Sequence, residues 1–223
     1  MTAYPIEFID LDDEPESPIA DIVRPRDISP EDRARFERNL AEIFTALGLD
    51  LNTPGTTETP RRHLQALIDS TIGYEGDPKI LTAFPKVNRG DSGEALAQVV
   101  EGPIPFFALC EHHALPFFGE AWVGYVADHD LIGISKLTRL VHVVTRRFGV
   151  QEEMTQEIAN QLTQMVEPQG VAVYLEAHHT CTQMRGVREV NSKTRTTAFR
   201  GSYAENTALR SEFYDIAGLR RAR

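Results

Sequence analysis

The sequence predicts an α+β domain with helices laid on an antiparallel sheet, and three observations carry that prediction. Two stretches before residue 80 place apolar residues at helical spacing, and two more lie between residues 135 and 166. After Ala97 and again after Gly170, segments rich in β-branched and aromatic residues read as strands. The order is therefore helix, helix, three strands, two helices and two strands, which suits helices packed on one sheet. With 223 residues and 41% hydrophobic content, the chain has enough apolar surface for one generous domain.

Residues 1–28 carry repeated prolines and carboxylates and few large apolar side chains, so they bury too little to offset ordering entropy; a flexible acidic tail is expected. Ser29-Pro30-Glu31-Asp32 then has a Ser cap, a first-turn proline and an acid three residues after the cap. Phe36, Leu40, Ile43, Phe44 and Leu47 form the stripe of the helix that follows, which ends near Gly48. Thr59-Pro60 opens a second helix with Thr59 as cap and Leu64, Leu67 and Ile68 on one side, within an N-terminal helical region expected over 29–96. AQVVEGPIPFFALC (97–110) and PFFGEAWVGYVAD (116–128) read as strands, followed by a short one at DLIGI (130–134). In SKLTRLVHVVTRRFG, Ser135 caps, Leu137, Leu140, Val141, Val144 and Phe148 make the buried stripe, and Gly149 terminates. A helix from Gln151 to Val166 stops before Pro168, and GVAVYLEAHHTC and TRTTAFRGSY complete the sheet.

No run of about 18 uncharged apolar residues is present to span a bilayer, and the N-terminus is acidic where a secretory signal is basic and then apolar. A cytoplasmic protein with no membrane partner is expected. A net charge of -10 argues against broad nucleic-acid binding, which needs a basic face. Local charge differs: residues 183–223 hold nine Lys and Arg against four Asp and Glu, which suits a small anion, although Arg220, Arg221 and Arg223 also suit a solvated helical tail.

The chemistry concentrates in ALCEHHALPFFG. Cys110 and His113 stand in Cys-x-x-His spacing, and Cys181 lies at the end of another predicted strand. Two thiolates and an imidazole leave a tetrahedral ion one open position, the arrangement of a catalytic zinc site. The competing reading is a pair of buried thiols with surface histidines, and a cytoplasmic setting disfavours a disulfide between them. On an extended segment His112 and His113 point opposite ways, so one can ligate while the other moves protons. His178 reads as a surface residue.

CEHHALPFFGEAWVGYV, LIGISKLTRLVHVVTRRFGVQE and GVAVYLEAHHTCTQMRGVREVNSKT closely resemble the GTP cyclohydrolase I family, in that order, over roughly residues 30 to 215. The resemblance implies a zinc enzyme that opens the imidazole ring of GTP, expels C8 as formate and recloses the remainder as 7,8-dihydroneopterin triphosphate. It also implies the T-fold (tunnelling fold), an antiparallel sheet with two helices packed on it, here over residues 97–223 after N-terminal helices. A homodecamer with sites at subunit interfaces is implied as well.

Carried over by position, the resemblance makes Cys110, His113 and Cys181 the Zn2+ ligands and His112 and His179 the catalytic proton-transfer pair. Glu152 would bind the guanine edge with Gln151 as helper, although an acid in a first helical turn is also ordinary. Ser135, Lys136, Arg139 and Arg185 would contact sugar and triphosphate, the first three at a helix start suited to phosphate. Arg62 would reach a neighbouring subunit's site. Four residues depart from the family pattern: Trp122 stands where His is usual, Thr182 where Met is common, Gln65 where Lys is frequent and Glu153 where Arg is common. The last two remove positive charge near an anionic ligand. Two other functions fit the same residues: a paralogue with a different end product, or a non-catalytic zinc- and nucleotide-binding scaffold. The presence of both His112 and His179 disfavours the scaffold.

Overall fold

Strands β1 (Gln98–Cys110) and β2 (Pro116–Val126) pair antiparallel, Leu109 opposite Pro116 and Gln98 opposite Val126. β4 (Gly170–His179) lies along the other edge of β2, and β5 (Thr194–Gly201) along β4, both antiparallel. A two-residue strand, β3 (Phe148–Gly149), pairs in parallel with the end of β1, giving the order β3-β1-β2-β4-β5. The computed structural model describes residues 26–81, 98–128 and 131–219. The α+β architecture is as expected; the sheet is mixed at its β3 edge, where the sequence predicted only antiparallel pairs.

Alternation along the strands builds two faces. One face sends Ile104, Phe106, Ala108 and Cys110 of β1, Phe117, Ala121, Val123 and Tyr125 of β2, and Val171, Val173, Leu175 and Ala177 of β4 into a core under two helices. These helices are α4 (Ile134–Thr145) and α5 (Gln151–Val166), which contribute Leu137, Leu140, Val141, Val144, Met154, Ile158 and Leu162. Fully burying side chains of this kind contributes about 1.5–3 kcal/mol each, so this layer dominates stability. On the opposite face Trp122, Val126, Ala172 and Tyr174 meet Tyr203 of α7 (Ser202–Glu205) and Phe213 of α8 (Thr207–Ile216). Gly124 is required there, because a Cβ would lie 2.9 Å from the Phe213 ring.

Several local expectations are revised. DLIGI forms no strand in its described part: Leu131–Gly133 is irregular and Ile134 opens α4, since both edges of β2 are already taken by β1 and β4. The helix is capped by Gly133, without a side-chain bond, so Ser135 lies inside its first turn. Phe148 and Gly149 belong to β3 and not to the helix. Thr59 is likewise the first residue of α2 (Thr59–Ser70), not its cap, and a 3-10 turn (Ile72–Glu75) and a short α3 (Pro78–Leu81) follow. Ser29 does cap α1 (Pro30–Ala46), accepting from Asp32 N at 3.0 Å. The α1 stripe is only partly covered, with Ile43 and Leu47 exposed, because among the described elements α1 packs chiefly on α2. Residues 1–25 and 82–97 lie outside the described set, but Arg26 is held: its guanidinium meets Ile68 O, Thr71 Oγ1 and Glu75.

α8 is not predicted by the sequence, and the helical tail expected around Arg220, Arg221 and Arg223 lies outside the described residues. Asn206 caps α8, its side-chain oxygen accepting from Ala208 N and Leu209 N.

Candidate metal centre and active site

After Cys110 the chain leaves β1 in a tight turn. The Cys110 carbonyl accepts from His113 N at 3.3 Å and Ala114 N at 2.8 Å, while Ala114 takes a left-handed φ of 52°. Residues 111–113 are therefore not extended, and the strand-alternation argument for separating His112 from His113 does not apply. Both rings come back toward Cys110, with Sγ 3.8 Å from His112 Nδ1 and 3.7 Å from His113 Nδ1.

Cys181 does not end a strand. It sits in α6 (Thr180–Gln183), one turn beyond β4, where Thr180 Oγ1 donates to Pro116 O and ties that turn to the start of β2. This brings ligand atoms of Cys110, His113 and Cys181 within 4.8 Å of one another. Both cysteines are free thiols and buried, whereas His113 is exposed, so the group opens on one side. Burial pushes the Cys181 thiol above its ordinary range, and the adjacent Cys110 adds to the shift. Close sulfur pairs of this kind fit a cation, and the N/S donor set fits zinc among the divalent metals.

His179 closes β4. Its ring is stacked on Phe117, centroids 4.5 Å apart, and its Nε2 lies 2.8 Å from Gln151 Oε1. Burial holds the imidazole below the ordinary histidine range, opposed by the nearby Glu152 carboxylate. Gln151 is fully buried and its amide nitrogen is used inside the protein, at Leu175 O, Thr194 O and Thr196 Oγ1. Glu152, the next residue, is exposed in the first turn of α5, and Arg185 is exposed just beyond α6. The fold thus gathers the metal group, both candidate proton-transfer histidines, Gln151, Glu152 and Arg185 near one end of the sheet.

The family model for GTP cyclohydrolase I matches residues 36–218. The chain belongs to the GTP cyclohydrolase I family. It is 38% identical over 181 residues to GTP cyclohydrolase 1 of Campylobacter curvus, an alignment covering 81% of this chain and 93% of the relative. Against GTP cyclohydrolase 1 of Porphyromonas gingivalis it is 39% identical over 188 residues, 84% of this chain and 95% of the other. It is also 41% identical over 184 residues to the bifunctional protein FolKE of Lactococcus lactis, covering 81% of this chain and 51% of that longer one. Family membership makes the chain an enzyme of the GTP cyclohydrolase class.

Not every residue assigned through the GTP cyclohydrolase I resemblance meets the metal group within a single chain. The C-terminal end of α4 lies beside Cys110, since Arg147 O accepts from Leu109 N at 3.1 Å. Ser135 is ten residues earlier, roughly 15 Å along the axis at 1.5 Å per residue. It lines a separate cavity of about 510 Å³ with Asp77, Thr138, Arg139 and His142. There Arg139 is paired with Asp77 at 2.6 Å. Burial tends to raise the Asp77 carboxyl, but hydrogen bonds from Arg139 and the Lys79 amide outweigh it and hold the group below its usual range. Lys136 does not share that exposed face: it is buried, with Nζ 3.4 Å from Ile80 O, and burial lowers its pKa. Arg62 is exposed on α2, 3.4 Å from Gly55 O.

The four departures from the GTP cyclohydrolase I pattern have local structural partners or sites. Trp122 lies on the sheet face opposite Cys110, edge-on to Tyr174 at 5.5 Å. Gln65 bridges the first two helices, accepting from Arg33 and donating to Asp69. Thr182 donates to His179 O at 3.0 Å, bracing α6. Glu153 is exposed on α5. Asp77 and Thr196, beside Arg139 and Gln151, carry no sequence signal because each is an ordinary residue made relevant by long-range packing, and although Phe117 lies in a family motif, its stacking on His179 is set by strand register.

Proposed function

We propose that this enzyme hydrolyses the imidazole ring of GTP at a Zn2+ site of Cys110, His113 and Cys181, releasing formate and forming 7,8-dihydroneopterin triphosphate. The observation that most supports this reading is the convergence of two buried thiols and one imidazole within 4.8 Å, with His112 also beside Cys110. When bound, zinc supplies Lewis acidity that lowers the pKa of water toward neutrality.

The chain's own residues do the rest. His112 and His179 exchange protons with the purine ring nitrogens as C–N bonds break, a task suited to imidazole near neutral pH. Glu152 accepts from guanine N1–H and the 2-amino group, a pairing adenine cannot offer, so a wrong base leaves the carboxylate unsatisfied. Arg185, next to the metal group, serves the sugar and triphosphate.

Ser135 and Arg139 serve the same anion in a neighbouring copy's site, because the start of α4 lies far from its own chain's metal group, with Lys136 buried behind them; Arg62 likewise reaches a neighbouring subunit's site. A homodecamer supplies those interfaces, with residues 97–223 as the catalytic T-fold domain and 29–96 as a helical region. The acidic composition favours no nucleic-acid partner, and no helix among the described residues is long and apolar enough to cross a membrane. We place the activity in the cytoplasm.

Incubating the zinc-loaded protein with GTP tests the proposal directly: formate and, after oxidation, a fluorescent neopterin are expected together. Formate without a pterin would indicate a different end product, and neither product would indicate a non-catalytic binding protein.

A further inference from the structure

We infer that Gln151 is a positioning residue that holds His179 as the Nε2–H tautomer, leaving Nδ1 as the ring nitrogen that carries the lone pair. The inference rests on the reading above for the use of that lone pair, but its structural basis is independent of it.

The surroundings of the Gln151 amide allow only one orientation of it. Its Nε2 is surrounded by three acceptors: Leu175 O at 3.2 Å, Thr194 O at 3.2 Å and Thr196 Oγ1 at 3.1 Å. Flipping the amide would set its oxygen against two backbone carbonyls in a fully buried position, with no proton between them. The hydroxyls agree with this direction. Thr155 Oγ1 donates to Gln151 O at 2.6 Å, so in its 2.6 Å contact with Thr196 it must accept. Thr196 Oγ1 therefore spends its proton on Thr155 and offers a lone pair to the Gln151 amide. The two amide protons are then shared among these three acceptors, and Gln151 Oε1 has only acceptor capacity to offer His179.

His179 Nε2, 2.8 Å away, must consequently be the donor. A neutral imidazole that donates at Nε2 has its lone pair at Nδ1. Stacking on Phe117, with ring planes 6° from parallel, restricts rotation out of that plane. Two contacts thus define both the tilt of the ring and the nitrogen that can accept a proton. Gln151 accordingly acts through His179 and does not touch the base, in contrast to the helper role that family resemblance implied for it.

Magic-angle-spinning NMR of zinc-loaded protein labelled with 15N-histidine tests this, with His179→Asn identifying the resonance. The expected result in the wild type is a protonated Nε2 and an unprotonated Nδ1 on His179. The opposite tautomer, or an even mixture, overturns the inference without any Gln151 variant being needed. In Gln151→Met, which removes the acceptor at similar size, the two tautomers should mix and kcat for GTP should fall roughly three- to tenfold, the population shift one hydrogen bond governs. KM should stay within about twofold, since base recognition is untouched. A folded Gln151→Met protein that retains the single tautomer also overturns it. If the wild type shows the Nε2–H tautomer but does not turn over GTP, the functional proposal fails while the structural inference stands.

Discussion

Phe117 and His179 lie face to face, their ring centroids 4.5 Å apart and their planes 6° from parallel. The contact follows from strand register, because β2 and β4 pair these two residues directly, and Phe117 is fully buried beneath the ring. Phe117→Leu should keep the fold at a cost of about 1–3 kcal/mol, the range for reshaping a packed core. It should also lower kcat for GTP more than it changes KM, because His179 loses the surface that keeps its ring flat. Urea unfolding and steady-state kinetics on one preparation measure both effects; equal losses in kcat and affinity would count against an orienting role for Phe117.

Removing one sulfur from the metal group should cost metal and activity together. Cys181→Ser keeps the size of the side chain, so its folding is expected to survive, but a serine hydroxyl stays protonated near neutral pH and is a poor zinc ligand. After exhaustive dialysis the variant is expected to hold well below the wild-type zinc content and to show negligible turnover. Full activity in a verified zinc-free sample would remove zinc from the mechanism.

Arg139 is partly shielded and paired with Asp77 at 2.6 Å, at the cavity that also contains Ser135. Arg139→Ala should raise KM for GTP about tenfold or more, as losing a charge-assisted contact to phosphate does, while zinc content is unchanged. Mixing this variant with inactive His179→Asn chains tests whether Arg139 serves a neighbouring copy. Co-assembled subunits should recover part of the activity, because some sites then combine intact Arg139 from one chain with intact His179 from another. No recovery in mixtures shown to co-assemble would place both residues in the same chain's site.

Glu176 joins β4 to β5 and the segment before it, 2.6 Å from Lys193 and 2.5 Å from Arg195. Burial opposes ionisation of this carboxyl, but its hydrogen bonds to Lys193 and Arg195 prevail and depress the folded pKa. A depressed folded value means stability that is fully present above the unfolded glutamate pKa, about 4.3, and is lost as pH falls through the folded value. The gap in urea midpoint between wild type and Glu176→Gln should therefore be widest near neutrality and should narrow below about pH 4. A gap independent of pH would show that the ion pairs contribute nothing to folding.

Much of the helical layer was legible along the chain. Ser29 and Pro30 mark the start of α1, the stripe Leu137, Leu140, Val141 and Val144 marks the inward side of α4, and Gln151 to Val166 are the bounds of α5. These features are local, repeating every three or four residues. The same rules failed where a segment's fate depended on a distant partner: DLIGI has strand-like composition, but both edges of β2, the strand it follows, are taken by β1 and β4, and two residues at Phe148 are too few to show a period. α8 escaped notice because its apolar residues cover the back of a sheet assembled from strands far away in sequence.

For the site, the amino-acid order alone supplied the candidate groups, two cysteines with histidine neighbours, and the motifs that mark the family. Tertiary structure decided how they are arranged. It turned His112 and His113 toward the same sulfur, brought Cys181 beside Cys110 on a short helix, set the direction of the Gln151 amide and paired Arg139 with Asp77. The physical reason is that side-chain type and spacing act over a few residues, whereas convergence depends on strand register and on which faces must be buried, quantities that only the whole packed chain defines.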